Sequence, residues 1–151
     1  MPTPRRSAPV RGLLRRAVPA DLPRLYEIWT AVDEHRLRDG WDGFLATADR
    51  FLTRGRLWVW ADAHAIQGFA ATDPLSGEIE ALFVHPTAQG RGIGRALLRK
   101  CCDSLLRHGH RHAWLVTSPG TRAERFYSDA GWTEIGVEPS GARRLRRWLV
   151  G

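Results

Sequence analysis

The segment Gln89-Gly90-Arg91-Gly92-Ile93-Gly94 sets three glycines within five positions, between an apolar run at 79–84 and a stretch beginning Arg95-Ala96-Leu97-Leu98. Glycine has no Cβ, so its backbone can approach a ligand closely and can adopt positive φ. The apolar run reads as a strand and the segment after the glycines as a helix, which places the loop at a helix N-terminus. Free N–H groups and the positive end of the macrodipole attract an anion there. Arg91 and Arg95 add guanidinium groups suited to phosphate oxygens. The chemistry implied is the gripping of a pyrophosphate.

Two common phosphate loops do not fit. A P-loop needs G-x-x-x-x-G-K-[S/T], and neither Lys-Ser nor Lys-Thr follows these glycines. The dinucleotide fingerprint is G-x-G-x-x-G, whereas the spacing here is G-x-G-x-G. Upstream, Glu78 and Glu80 alternate with Ile79 and Ala81. On a regular strand they share one face with Leu82 and Val84. Either carboxylate can accept a proton, directly or through water. His85, Asp33, Glu34 and His35 are further candidates for that role.

Gln89-x-x-Gly92-x-Gly94 resembles the Q/R-x-x-G-x-G/A loop of the GNAT superfamily of N-acetyltransferases. Ala81-Leu82-Phe83-Val84-His85-Pro86 is similar to that family's fourth strand. Ala123-Glu124-Arg125-Phe126-Tyr127, running on to Gly131-Trp132, resembles its A-x-x-F-Y-x-x-x-G-F segment with Trp for Phe. The resemblance runs from about Leu13 to Trp148. It implies a mixed α/β (α+β) fold with a mostly antiparallel, splayed sheet of six to seven strands and about four helices. It also implies acetyl-CoA as co-substrate, with a primary amine of a small molecule or peptide attacking it directly in a ternary complex. On this resemblance Gln89, Gly90, Arg91, Gly92, Ile93, Gly94 and Arg95 hold the pyrophosphate. Main-chain groups at Leu82, Phe83 and Val84 bond the pantetheine arm and polarise the thioester carbonyl. Tyr127 protonates the departing sulfur, a proton transfer open to a phenol near its ordinary pKa. Glu78 falls where the histone-acetylating members carry their catalytic glutamate. Family members often carry an Asn after the fifth strand; here Thr117, Ser118, Gly120 and Thr121 occupy that stretch, so Thr117 and Thr121 would contact the arm. Tyr26, Trp29 and Trp41 would line the acceptor pocket. Homodimers, common in the family, would pair through the edge of the last hairpin.

The elements that must position these groups fit within 151 residues, enough for one domain with one core. Residues 1–12 read as a flexible tail and 13–151 as the domain. No apolar run approaches a membrane span, and the N-terminus lacks the apolar centre of a secretory signal. Two cysteines, Cys101 and Cys102, stand side by side on one helix and point about 100° apart, so they should not pair. A reducing cytoplasm fits, and no Cys/His spacing suggests a metal. The net charge of +7 comes almost wholly from arginine, Lys100 being the only lysine. The arginines are scattered and no nucleic-acid motif accompanies them, so a basic surface that draws an anionic ligand accounts for the charge. A non-catalytic acyl-CoA sensor and a basic nucleic-acid module remain as alternatives. Turnover with an amine excludes the first, and the absence of a steep salt dependence excludes the second.

Strands are expected at 13–18, 57–61, 66–72, 78–85, 112–117, 132–137 and 144–150. Helices are expected from Asp21 as N-cap, between Trp41 and Phe51 with Gly55 as stop, after the glycine loop, and around Tyr127.

Overall fold

A computed structural model describes residues 11–33, 36, 38, 40–54 and 56–150. Most of the expected tail, Glu34, His35 and the expected stop at Gly55 lie outside these residues. The order is β1 (Leu13–Arg16), α1 (Leu22–Val32), α2 (Gly40–Thr53), β2 (Arg56–Ala61), β3 (Ile66–Asp73), β4 (Glu78–Val84), α3 (Ile93–Arg107), β5 (His112–Thr117), α4 (Arg122–Asp129), β6 (Thr133–Val137) and β7 (Arg143–Trp148). The seven strands form one sheet in the order β1-β2-β3-β4-β5-β7-β6. Every neighbouring pair is antiparallel except β4–β5. The expected mixed fold is therefore present, with four α-helices among the described residues.

Strand alternation divides the core into two layers. In β2, Leu57 and Val59 pack with Leu25, Ile28, Phe44 and Phe51 of α1 and α2. Trp58 and Trp60 point the other way, into the layer formed with Ile93, Leu97, Cys101 and Leu105 of α3. Both faces of the central strands are thus covered, which is why these strands read as nearly continuous apolar runs. Cys101 is fully buried and Cys102 partly so, and both are free thiols, as their adjacency on the helix requires.

Asp21 takes its expected N-cap position, but its side chain is used elsewhere. It immediately precedes α1 but makes no side-chain capping bond to that helix. Pro19–Asp21 form a 3-10 turn, and the Asp21 carboxylate accepts from Val18 N at 2.9 Å and from Arg15 at 2.8 and 2.9 Å. It ties the end of β1 to the start of α1.

Two irregularities in β4 shape everything downstream. β4 and β5 share a single register pair, Glu78 with Trp114. The turn before β4 is clamped there: Trp114 Nε1 donates to Ser76 O at 3.0 Å, and His110 Nε2 lies 2.6 Å from Pro74 O. Beyond that point the strands part. Pairing with β3 also slips, from Ala71 opposite Ala81 to Thr72 opposite Ile79, so Glu80 is the extra residue of a β-bulge.

Candidate functional site

The parting of β4 and β5 opens a cleft of about 1050 Å³. Leu82, Phe83 and Val84 line it from β4, and Leu115 to Ser118 from the β5 side. Gln89, Gly90 and Gly92 to Arg95 line it from the loop and α3, and Thr121 to Ala123, Phe126 and Tyr127 from α4. His85 N donates to Gln67 O across β3 at 2.8 Å. Antiparallel alternation then turns the main-chain groups of Phe83 toward β3 and those of Leu82 and Val84 into the cleft. Main-chain contacts expected of residues 82, 83 and 84 are thereby narrowed to Leu82 and Val84. Gln89 Nε2 approaches Val84 O at 3.4 Å.

The bulge corrects the expected facing of the glutamates. An extra residue at Glu80 shifts the alternation by one, so Ile79, Leu82 and Val84 pack on the α3 layer. Ala81 and Phe83 pack on the α1/α2 layer, and Glu80 turns to that side with them. The carboxylates do not share a face with Leu82 and Val84, because the regular period of two fails at the bulge. Glu80 lines the cleft and pairs with Arg50 of α2 at 3.1 Å. Glu78 sits at the joined base of the strands and lines neither this cleft nor the pocket beside it. Burial raises both carboxyl pKa values above the ordinary range. The Glu80 charge adds to the rise at Glu78, while Arg50 opposes it at Glu80.

At the other end of the cleft, Gly90 and Gly92 adopt φ of 82° and 83°. Nothing lies within 4 Å of a Cβ built on either, so left-handed backbone is what these two positions require. Gly94 is already helical, and a Cβ there would touch Phe126 at 3.6 Å. Gly92 is the N-cap of α3 and no side chain caps that end. The first bond into the helix comes from Ala96 N to Gly92 O at 3.1 Å. The first-turn N–H groups before it have no intrahelical acceptor and border the cleft.

Arg95 lines the cleft and Arg91 does not. Arg91 reaches back to Asp62 Oδ2 at 3.3 Å and lies over the Trp60 ring. Asp62 is an electrostatically settled anion: N–H groups of Ala65 and His64, together with Arg91, hold its carboxyl well below the usual range. The pairing was not visible in the sequence because the two residues are 29 positions apart. Arg122, which the sequence reading passed over, lines the cleft from the first turn of α4. A signal for it existed. Thr121 caps Glu124 N at 3.2 Å, and the Thr-x-x-Glu spacing marks a helix start at residue 122. The Thr121 hydroxyl also donates to Ser118 O at 2.7 Å, so its polar capacity is largely engaged in shaping that turn. Thr117 is buried at the cleft wall.

Tyr127 is 7% exposed, with its ring edge-on to Phe126 and Trp132. Burial, reinforced by the Cys101 and Cys102 thiols, pushes its phenol well above the ordinary value. It stays protonated at any ordinary pH.

Beside the cleft is a second, smaller pocket of about 290 Å³, walled by Leu25, Trp29, Phe44, Phe51, Leu57 and Phe69. Of the aromatic residues expected to line an acceptor site, Trp29 does so. Tyr26 and Trp41 instead form an aromatic cluster behind it, with rings 5.3 Å apart and nearly perpendicular. Tyr26 also lies 5.5 Å from Phe44 and so supports a wall of the pocket. Arg36 lines both spaces, and no sequence signal marked it because its contact with Phe83 joins residues far apart in the chain. Among the described residues no group of three or more His, Cys, Asp or Glu could hold a metal, and no helix is long and apolar enough to cross a membrane.

Comparison with known proteins agrees with this architecture. Residues 20–132 match the family model described as the acetyltransferase (GNAT) family. The peptidyl-lysine N-acetyltransferase YiaC of Escherichia coli is 26% identical over 145 residues, covering 91% of this chain and 94% of that protein. A mycothiol acetyltransferase of Beutenbergia cavernae is 41% identical over 66 residues, 43% of this chain but only 22% of that protein's length. Among solved structures, the PaiA N-acetyltransferase of Thermoplasma acidophilum, in complex with coenzyme A, is similar with a TM-score of 0.76 at 16% identity, covering 91% of this chain and 99% of that one. With a family model spanning most of the chain and a fold whose β4–β5 cleft meets a glycine-rich helix start, the protein belongs to the acetyltransferase (GNAT) family.

Proposed function

We propose that this chain is an N-acetyltransferase that moves the acetyl group of acetyl-CoA to a primary amine, with both reactants bound at once. The observation that carries this is the cleft itself. Main-chain groups of Leu82 and Val84 lie along one wall, and the uncapped start of α3 stands at its end. A long ligand with a hydrogen-bonding arm and a diphosphate matches that sequence of groups.

The N–H groups at the start of α3, with Arg95 and Arg122, hold the diphosphate. Leu82 and Val84 align the arm, and a main-chain N–H there polarises the reacting carbonyl. Bound acetyl-CoA supplies the activated acyl group as a thioester. Tyr127 lines the cleft as a neutral phenol. Burial makes it a weaker acid than an ordinary one, so it gives its proton only as full thiolate charge develops on the departing sulfur, and regains one from solvent. Glu80 takes a proton from the incoming ammonium group so that the nitrogen lone pair is free. It is preferred to Glu78 because it borders both the cleft and the small pocket. A carboxyl raised by burial is a better proton acceptor than an ordinary one. As the C–N bond forms and the C–S bond breaks, the nitrogen sheds its second proton to water; the products are an acetamide and a free thiol, with one proton released overall. Alignment of two bound reactants supplies most of the remaining rate.

Relatives named as a peptidyl-lysine N-acetyltransferase and a mycothiol acetyltransferase do not agree on one acceptor. The test is thiol release from acetyl-CoA across a panel of amines, alongside calorimetry with coenzyme A. Uptake of coenzyme A with amine-dependent thiol release supports the reading. No uptake by folded protein sinks it.

A further inference from the structure

The small pocket is apolar inside but is entered between two opposite charges. Leu25, Phe44, Phe51, Leu57 and Phe69 make its walls, while Arg36 and Glu80 line both it and the cleft and so stand where the two spaces meet. Arg36 is held in place: Nη1 donates to Trp29 O at 3.2 Å, and the guanidinium lies over the rings of Phe83 at 4.5 Å and Trp29 at 5.3 Å. The two rings and the Trp29 carbonyl restrict where the group can move. A guanidinium carries five N–H donors in one plane, in a fork that matches a carboxylate. Burial outweighs the attraction of Asp33 and lowers the Arg36 pKa, so a further anion beside it would be stabilising. Glu80, its side chain 12% exposed, lines the same junction, with one carboxylate oxygen 3.1 Å from Arg50 and the other left to meet a cation.

We propose that the acceptor is a free amino acid with an apolar side chain, its side chain in the small pocket, its carboxylate on Arg36 and its amino group between Glu80 and the cleft. This rests on the acetyltransferase reading above and narrows its substrate. A pocket of about 290 Å³ is at the lower limit for ligand sites, which suits one residue rather than a peptide chain. A polycation would set like charge against Arg36. A simple apolar amine would bring Arg36 no anion beyond Asp33, whose attraction does not offset its burial. The reaction is unchanged in kind: the α-amino nitrogen bonds to the acetyl carbon, the C–S bond breaks, and the N-acetyl amino acid leaves with its carboxylate intact.

The experiment measures thiol release by the full-length chain from acetyl-CoA. Acceptors are leucine, methionine and phenylalanine, their methyl esters, their decarboxylated amines, and a lysine-containing peptide. The expected result is at least a ~10-fold higher kcat/KM for the free amino acids than for esters or amines, with the gap carried by KM. Arg36→Gln should bring the amino acids down to the level of their esters, and Arg36→Lys should recover part of the difference. Equal or better turnover of the esters, the amines or the peptide overturns the proposal, as does an Arg36→Gln loss that is the same for every acceptor. If that variant does not fold, the wild-type comparison of acid with ester decides alone. Coenzyme A uptake without turnover of any amino acid overturns this inference only, whereas no uptake at all overturns the acetyltransferase reading.

Discussion

Glu78 and Trp114 form the single register pair that joins β4 to β5, and the cleft exists because no second pair follows. The joint is reinforced from Trp114, whose indole N–H donates to Ser76 O and whose ring lies 4.4 Å under the Arg144 guanidinium. Trp114→Ala removes both contacts together with partly buried ring area, and about 2–3 kcal/mol of stability should be lost. Denaturant titration measures this. A loss below about 0.5 kcal/mol would mean that the joint is held elsewhere.

The two kinds of glycine in the loop should behave differently. Gly92→Ala forces a side chain to φ of 83° at the α3 N-cap, and a loss of about 1–2 kcal/mol is expected along with weaker coenzyme A binding. Gly94→Ala adds a methyl in ordinary contact with Phe126 within a helix, so stability should hold or rise by up to about 1 kcal/mol. Thermal melts paired with calorimetry separate the two effects.

Arginines that look alike in the sequence should divide in solution. Arg95→Ala and Arg122→Ala each remove a charge at the cleft and should weaken coenzyme A binding about 10-fold, with a shallower salt dependence. Arg91→Ala breaks an ion pair with Asp62 outside the cleft and should change affinity less than about 2-fold. Equal effects from all three would mean that Arg91 leaves Asp62 when ligand binds.

Tyr127→Phe keeps the ring that packs on Trp132 and removes the proton donor. A fall in kcat of about 100-fold, with little change in coenzyme A affinity or melting temperature, is expected. Because burial raises the phenol, the wild-type enzyme should show no alkaline loss of rate traceable to Tyr127 near its ordinary value of 10.0.

The raised carboxyls give opposite signs for rate and stability. Deprotonation of Glu80 frees the base, so kcat/KM should climb with pH through a value above the ordinary 4.5, and Glu80→Gln should abolish that limb. For Glu78, a folded pKa above the unfolded one means that the native state binds the proton more tightly. Its contribution is complete below about 4.5 and declines as pH rises to the raised value. Glu78→Gln should flatten the stability profile over that window. A profile of unchanged slope would remove Glu78 as its source.

The loop and its neighbours were legible from residue order alone. Glycine spacing, the strand before it and the helix after it are local signals, and they located the cleft-lining positions from Leu82 to Arg95 and the Tyr127 helix. Apolar periodicity likewise located all seven strands to within a few residues. Which charges line the cleft came from packing. A one-residue bulge at Glu80 reversed the expected facing of β4, a shift that no period-two pattern announces. Arg91 was drawn away by Asp62, and Arg36 meets the pocket through contacts with Trp29 and Phe83, the latter far from it in the chain. Backbone conformation follows from neighbours along the chain, whereas charge pairing and the entrance to a cavity depend on residues that meet only when the sheet and helices have packed.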